Sequence, residues 1–390
     1  MAAKVFRSPV MCLCVVAISV FLLVKIMERE RSPPLSQKVR DLRKDVSTYH
    51  EQQFSHNGNN VSQVREPIPV ILLTYMRSGS SFLGSVLQTN PDVYYLFEPL
   101  HAIQMAVRSQ ETFTFLNGTS RKYENFLDVA KLTISGLATC DMESLPTQMW
   151  LNGFLSLSRK AKGMRYCVSK SKTIEESRSC ISVTKMVCMN SSHSALKIIR
   201  IPMDLLEPLM TSMSNLRVIH LIRDPRATTL SQHAYGVIPT AHFRQHVTGF
   251  CNRVYRDVVT AERFLTSFPG RILRIYYEDV AKDPKRYAKI LYKFTNMTYT
   301  AKIETDVHSM TSANVPKNCG QLCTRSSNST AQAEAWRKHA PLELVNTIDD
   351  VCQPLYLQLG YRNVESERML KDINIPLRRD LNTFDDFRYA

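Results

Sequence analysis

Ile68-Pro-Val-Ile-Leu-Leu-Thr-Tyr75, continued by Met76-Arg77-Ser78-Gly79-Ser80-Ser81 and then Phe82, Leu83, Val86 and Leu87, decides how this chain folds. Ile68 to Tyr75 is an unbroken apolar run, the pattern of a strand covered on both faces in a parallel sheet. Phe82, Leu83, Val86 and Leu87 recur at helical spacing. A strand that feeds a small-residue loop into a helix brings backbone N–H groups together at the helix N-terminus, where the dipole favours an anion. Gly79 allows the backbone to come close to such a group. The loop is not a Walker A sequence: G-x-x-x-x-G-K-[S/T] is absent, and an arginine precedes the glycine where a lysine would follow it. A serine-rich cap at an ordinary strand-to-helix turn would read the same way, so the loop alone does not establish a phosphate site.

A second segment repeats the plan. Leu216 to Ile222 (LRVIHLI) reads as another buried strand, ending in Arg223-Asp224-Pro225-Arg226, with a helix from Ala227 that carries Ser231. Arginines at the end of a parallel strand sit on the edge where α/β sheets bind ligands. Arg223 and Ser231 could meet one phosphate through a fork of donors and a hydroxyl; a salt-bridged loop is the competing reading. Two anion-suited loops at strand ends suggest one ligand with two phosphate groups.

The chain has 390 residues and 50 Lys+Arg against 35 Asp+Glu, a net charge of +15. With 44% hydrophobic and 22% charged residues it is not a disordered or collagenous chain, and no fixed-period repeat suggests a solenoid. The excess charge implies an anionic partner, and no nucleic-acid motif is present.

Pro9 to Met27 (PVMCLCVVAISVFLLVKIM) has one charge, Lys25 near its end, and is followed by a charged run rather than a small-x-small cleavage site. It reads as an uncleaved signal-anchor, residues 9–27, behind a cytoplasmic tail at 1–8. Residues 28–66 are polar, include Pro33 and Pro34, and read as a stem. Five N-x-[S/T] sequons, at Asn60, Asn117, Asn190, Asn296 and Asn328, accompany eight cysteines beyond the anchor: Cys140, Cys167, Cys180, Cys188, Cys251, Cys319, Cys323 and Cys352. Sequons and an even cysteine set suit an oxidising lumen. Residues 67–390 then form a single lumenal α/β domain, and Cys140 to Ser194 looks like a disulfide-tied insertion. No metal-ligand spacing and no D-x-D occur, so no metal is expected.

TYMRSGSSF at Thr74–Phe82, LFEP at Leu96–Pro99, LIRDPRA at Leu221–Ala227, NSTAQAEAWR at Asn328–Arg337 and LGYR at Leu359–Arg362 occur in this order. Over about Pro67 to Val364 the chain resembles the Golgi carbohydrate sulfotransferases of the galactose, N-acetylglucosamine and N-acetylgalactosamine 6-O-sulfotransferase family. The resemblance implies a P-loop-like parallel sheet flanked by helices, a type II Golgi membrane topology and the donor 3′-phosphoadenosine 5′-phosphosulfate (PAPS). It further implies that Thr74, Tyr75, Met76, Arg77, Ser78, Gly79, Ser80 and Ser81 form the 5′-phosphosulfate loop. Arg223, with Asp224, Pro225 and Arg226 beside it, and Ser231 would match the 3′-phosphate site, with Trp336 and Arg337 nearby. The expected reaction is transfer of a sulfuryl group to a sugar hydroxyl, the 6-hydroxyl of a hexose or hexosamine being favoured, in a glycoprotein glycan or glycosaminoglycan.

Such a transfer needs an anion cradle, a cation for the leaving group and a base. Arg77 is the candidate cation; relatives with lysine here could offer an acid, which an arginine cannot. Glu98, at the end of the apolar run Val93 to Phe97, is the candidate base, with His101 as rival. Arg159, Lys160, Lys162, Arg165, Lys170, Lys172 and Arg200 are candidates for an acceptor groove, weighed against plain solvated faces. A nucleotide-sugar glycosyltransferase and a non-catalytic polyanion-binding protein are the alternatives.

Overall fold

The computed structural model describes residues 66–312 and 324–379. The expected tail and anchor, the stem as far as Arg65, Asn60, Cys319 and Cys323 lie outside the described residues. No helix among the described residues is long and apolar enough to cross a membrane.

Five parallel strands form the main sheet: β1 (Ile68–Leu73), β2 (Val93–Phe97), β3 (His193–Ile198), β4 (Arg217–Ile222) and β5 (Ile272–Tyr276). Their order is β2-β3-β1-β4-β5, so β1 is central and β4, the second apolar run, lies beside it with Leu73 opposite His220. Each strand is buried along almost its whole length, as continuous apolar runs in a sheet covered on both faces require. The alternation of side chains sorts them into two cores. Val70, Leu72, Tyr95, Ile219 and Leu273 pack with Leu83 and Val86 of α1 (Ser80–Leu87) on one face. Tyr75, Ile222 and Tyr276 pack with Val247, Val254 and Val258 of a long helix, introduced below, in the other.

β3 reads HSALKI yet is wholly buried, because its polar groups are satisfied. His193 Nε2 lies 2.8 Å from the Thr295 carbonyl, Ser194 Oγ donates to the Leu137 carbonyl at 2.8 Å, and Lys197 pairs with Glu98.

The helices that position the site are, after α1, α2 (Leu100–Arg108), α3 (Ile174–Met189), α4 (Pro225–Ala234), α5 (Phe243–Ser267), α6 (Tyr277–Lys282), α7 (Ser329–His339), α8 (Leu342–Val351) and α9 (Gln353–Leu359). α4 begins two residues before the expected Ala227, since Asp224 caps it by accepting from the Arg226 N–H and Pro225 suits its first turn. Disulfides Cys140–Cys188 and Cys167–Cys180 are nested in the segment expected to be disulfide-tied, and Cys188 lies on α3. Cys251–Cys352 joins α5 to the start of α9 across 101 residues of sequence. A closure of that length constrains the unfolded chain strongly, so replacing Cys251 and Cys352 together by alanine is expected to cost about 2–4 kcal/mol in denaturant unfolding.

Candidate active site

β1 stops at Leu73 rather than Tyr75. Thr74 N still bonds the Ile198 carbonyl at 3.0 Å, but the chain then folds back, with Ser78 N on the Tyr75 carbonyl at 3.3 Å. Thr74, Tyr75 and Ser78 turn their side chains inward. Thr74 Oγ1 meets Ser78 Oγ at 2.5 Å, Ser78 Oγ donates to the Tyr75 carbonyl at 2.6 Å, and the Tyr75 hydroxyl donates to Asp257 at 2.9 Å and also lies 2.9 Å from His220. These residues shape the loop, and they leave its backbone, Met76, Arg77, Gly79, Ser80 and Ser81 to line the cleft. Arg77 and Gly79 both have positive φ, 67° and 81°. A Cβ at Gly79 would lie 2.1 Å from the Tyr277 ring, so only glycine admits this close approach. Gly79 caps α1 without any side-chain hydrogen bond, leaving first-turn N–H groups for an anion.

The loop after β4 faces the same space. Arg223 Nη1 donates to the Arg77 carbonyl at 2.9 Å, its guanidinium lies 4.6 Å from the Tyr277 ring centre, and its buried Nε has no partner. Arg77 Nε donates to Ser231 Oγ at 3.0 Å, and its guanidinium stacks on Tyr235 at 4.1 Å. Gln232 of α4 pins the loop from the other side, donating to the Met76 carbonyl at 2.9 Å. Arg77, Arg223 and Ser231 are therefore brought together, as expected for an anion site, while Asp224, Pro225 and Arg226 are buried behind them. Arg226 is fully buried, forked onto Asp224 at 2.9 and 2.8 Å, and donates to the Arg362 carbonyl at 2.8 Å. A guanidinium so committed holds the loop and the C-terminal helices, not a ligand.

Trp336 and Arg337 lie away from the cleft too. Arg337 is buried and donates to the carbonyls of Leu370, Met369, Asp372 and Ile375, while Ser329 and Gln332, one to two turns earlier on α7, line the cleft.

At the end of β2, Glu98 adopts a φ of 47°, and its own backbone is held on both sides. Its N–H bonds the Lys197 carbonyl at 3.0 Å and its carbonyl accepts from Asn152 Nδ2 at 2.7 Å. Its carboxylate sits between Lys197 and Arg200. Burial pushes the Glu98 carboxyl up, and Lys197 and Arg200 together outweigh it and hold it below the ordinary value. His101, one turn on, packs its ring on Phe154 at 4.8 Å and faces a neighbouring groove rather than this cleft. Burial, followed by the charge of Arg200, lowers its pKa. Lys197 and Tyr277 escaped the sequence reading: Lys197 lies in a polar strand and Tyr277 follows a strand interrupted by Arg274. Of the basic acceptor candidates only Arg200 reaches this cleft; Arg159 donates to the Gln88 carbonyl at 3.2 Å and Arg165 to the Leu151 carbonyl at 3.1 Å.

The result is a cleft of about 560 Å³ beyond the carboxyl ends of β1, β2, β3 and β4, lined by Arg77, Arg223, Lys197, Arg200 and Glu98. Residues 67–360 match the sulfotransferase domain family. The chain belongs to the sulfotransferase family. As a member it is a PAPS-dependent sulfotransferase. It is 28% identical over 346 residues to carbohydrate sulfotransferase 5 of Homo sapiens, covering 80% of this chain and 81% of that one. With carbohydrate sulfotransferase 3 of Mus musculus it shares 25% identity, covering 81% and 72%. With carbohydrate sulfotransferase 1 of Danio rerio it shares 27%, covering 84% of each. Among solved structures it is similar to the sulfotransferase domain from the curacin biosynthetic pathway (TM-score 0.40, 17% identity, 75% and 98% covered). It is also similar to a mouse sulfotransferase complexed with PAP (TM-score 0.38, 14% identity, 79% and 89% covered). The sulfotransferase family leaves the nucleotide-sugar alternative without support.

Glu278, behind Arg223, accepts from the Asp224 N–H at 2.9 Å through one oxygen while its other oxygen is buried without a partner. Burial first, then the charge of Asp224, pushes it up to about 7. The folded chain thus holds this proton more tightly than the unfolded one. Its contribution to stability is complete below the ordinary carboxylate range and is lost as pH rises through about 7. Glu278→Gln, neutral throughout, should flatten the fall in unfolding free energy between about pH 5 and about pH 8; an unchanged slope would remove Glu278 from that role.

Proposed function

We propose that this sulfotransferase moves the sulfuryl group of PAPS to a hydroxyl of a hexose or N-acetylhexosamine, the primary 6-hydroxyl first, in a glycoprotein glycan or a glycosaminoglycan of keratan or chondroitin type. The observation that carries the reading is that Arg77, Arg223 and Glu98, from three separate strand ends, line one cleft around the N-terminus of α1, where no side chain takes the first N–H groups. The carbohydrate acceptor is supported by relatives named carbohydrate sulfotransferases that match along four fifths of the chain.

The donor's 5′ end would lie on the N–H groups of the loop and α1, with Arg77 beside the transferring group. Arg223, with its unpartnered Nε, and Ser231 would hold the 3′-phosphate. The sugar oxygen bonds to sulfur as the bond from sulfur to the bridging phosphate oxygen breaks, and PAP departs with that electron pair. Arg77 offsets the charge gathering on the leaving oxygen. Glu98 takes the hydroxyl proton. Held ionised by Lys197 and Arg200, it is a weak base and accepts the proton as the hydroxyl acidifies on bonding to sulfur. Of the two candidates Glu98 is the one that lines the cleft with Arg77 and Arg223, which favours it for this step.

The same reading places the chain in the Golgi membrane as a single-pass type II protein, anchored by 9–27, with its stem and its domain from residue 67 in the lumen. Exposed sequon asparagines at 117, 190, 296 and 328 and the disulfides support it.

Full-length chain given sulfur-labelled PAPS and a panel of chondroitin, keratan-type and N-acetylglucosamine-terminated acceptors should label at least one. Arg77→Ala should lower kcat by about 10²–10³-fold and Glu98→Gln by about 10²–10⁴-fold, both without loss of fold. Near-normal turnover in Glu98→Gln, with loss in His101→Ala, would move the base to His101. Arg223→Ala should weaken PAP binding in titration calorimetry, and unchanged affinity would refute its assignment.

A further inference from the structure

Beside the donor cleft lies a second groove of about 870 Å³ that shares Met76, Arg200 and Val237 with it. One wall is α2, which presents His101, Gln104, Met105 and Arg108, positions three and four apart on one helix face. The facing wall is the start of α5, with His242, Gln245, His246 and Arg253. No aspartate or glutamate lines the groove. Two carboxylates that contact groove residues are already engaged: Glu98 by Lys197 and Arg200, and Asp257 by the Tyr75 hydroxyl, the Met203 N–H and Arg253 at 3.8 Å. Arg108, by contrast, is exposed and has no ion pair among the described residues. Arg200 stands where the groove and the cleft meet, with its buried Nε unpartnered.

Gly249 is the telling position. It lies inside the long helix α5, where glycine costs stability relative to alanine, and a Cβ there would meet nothing within 4 Å. Packing does not demand this glycine, and a long side chain there would project into the groove it lines.

We infer that this groove is the acceptor site and that it takes a glycan bearing carboxylate or sulfate groups, laid between α2 and α5 with its reacting hydroxyl delivered past Arg200 to Glu98. The inference rests on the sulfotransferase reading of the adjoining cleft and adds the acceptor's charge. Arg108, His242 and His246 recognise the anions along the chain, while Arg200 guards the passage to the donor.

The test uses full-length protein and two matched acceptor pairs: chondroitin with carboxyl-reduced chondroitin, and keratan sulfate with desulfated keratan. One pair varies the uronate, the other the sulfate. Wild type should show a lower KM for the anionic member of at least one pair, rising with salt. The double variant Arg108→Ala/His246→Ala should raise that KM about tenfold while leaving kcat, PAP affinity and the KM of the neutral member unchanged. Gly249→Leu should block both members and spare PAP binding. Equal KM values within both pairs, or a double variant that behaves as wild type, would overturn the inference. So would a chain that binds PAP and sulfates neither anionic acceptor. A wild type that neither binds PAP nor sulfates any acceptor would instead overturn the proposed function beneath it.

Discussion

The ion pair between Arg226 and Asp224 is the contact on which the site's geometry rests. A fully buried guanidinium is costly unless every donor is met, and here the fork onto Asp224, the Arg362 carbonyl and the nearby Asp349 meet it. Asp224 at the same time caps α4, the helix that carries Ser231 and Gln232. One pair thus fixes the direction of α4, the position of Arg223 next to it and the docking of the C-terminal segment through Arg362. Aromatic rings of Trp336, Tyr356 and Tyr361 within 6 Å surround the guanidinium and keep water from it.

Around that anchor the cleft is an arrangement of positive charge kept from collapsing onto carboxylates. Among their contacts, Arg77 meets a neutral hydroxyl and a ring, and Arg223 a carbonyl and a ring, partners of a kind that phosphate oxygens can replace. Among the described residues the one carboxylate lining the cleft is Glu98, held by two cations at a left-handed backbone position. Such a conformation persists only where surrounding bonds over-determine it, and the Asn152 and Lys197 backbone contacts do so.

Much of this was legible from sequence where a strand is uniformly apolar. β1, β4 and the run ending at Phe97 announce themselves, and the residues after them fall at the carboxyl edge of a parallel sheet by geometry alone. β3 was not legible: His193, Ser194 and Lys197 look like surface residues until their partners, 57 to 102 residues away, are in place. Lys197 was missed for that reason, and with it the pairing that holds Glu98 ionised. The loop motif pointed to residues that line the cleft but could not tell which of its side chains face outward, because the turn that buries Thr74 and Ser78 depends on hydrogen bonds rather than on residue type. Likewise Arg226 read as a cleft residue and Arg337 as lying near the 3′-phosphate site, yet long-range carbonyl partners draw both into the core.

Asn328 joins two of these themes. Its side-chain carbonyl oxygen caps α7 by accepting from the Ala331 N–H at 2.9 Å, while Ser326 and Ser329 on either side line the donor cleft. A glycan is attached to asparagine through the amide nitrogen and leaves the carbonyl oxygen in place. Glycosylation at this sequon would therefore spare the helix cap and set a bulky, hydrated sugar beside Ser326 and Ser329, at the edge of the cleft.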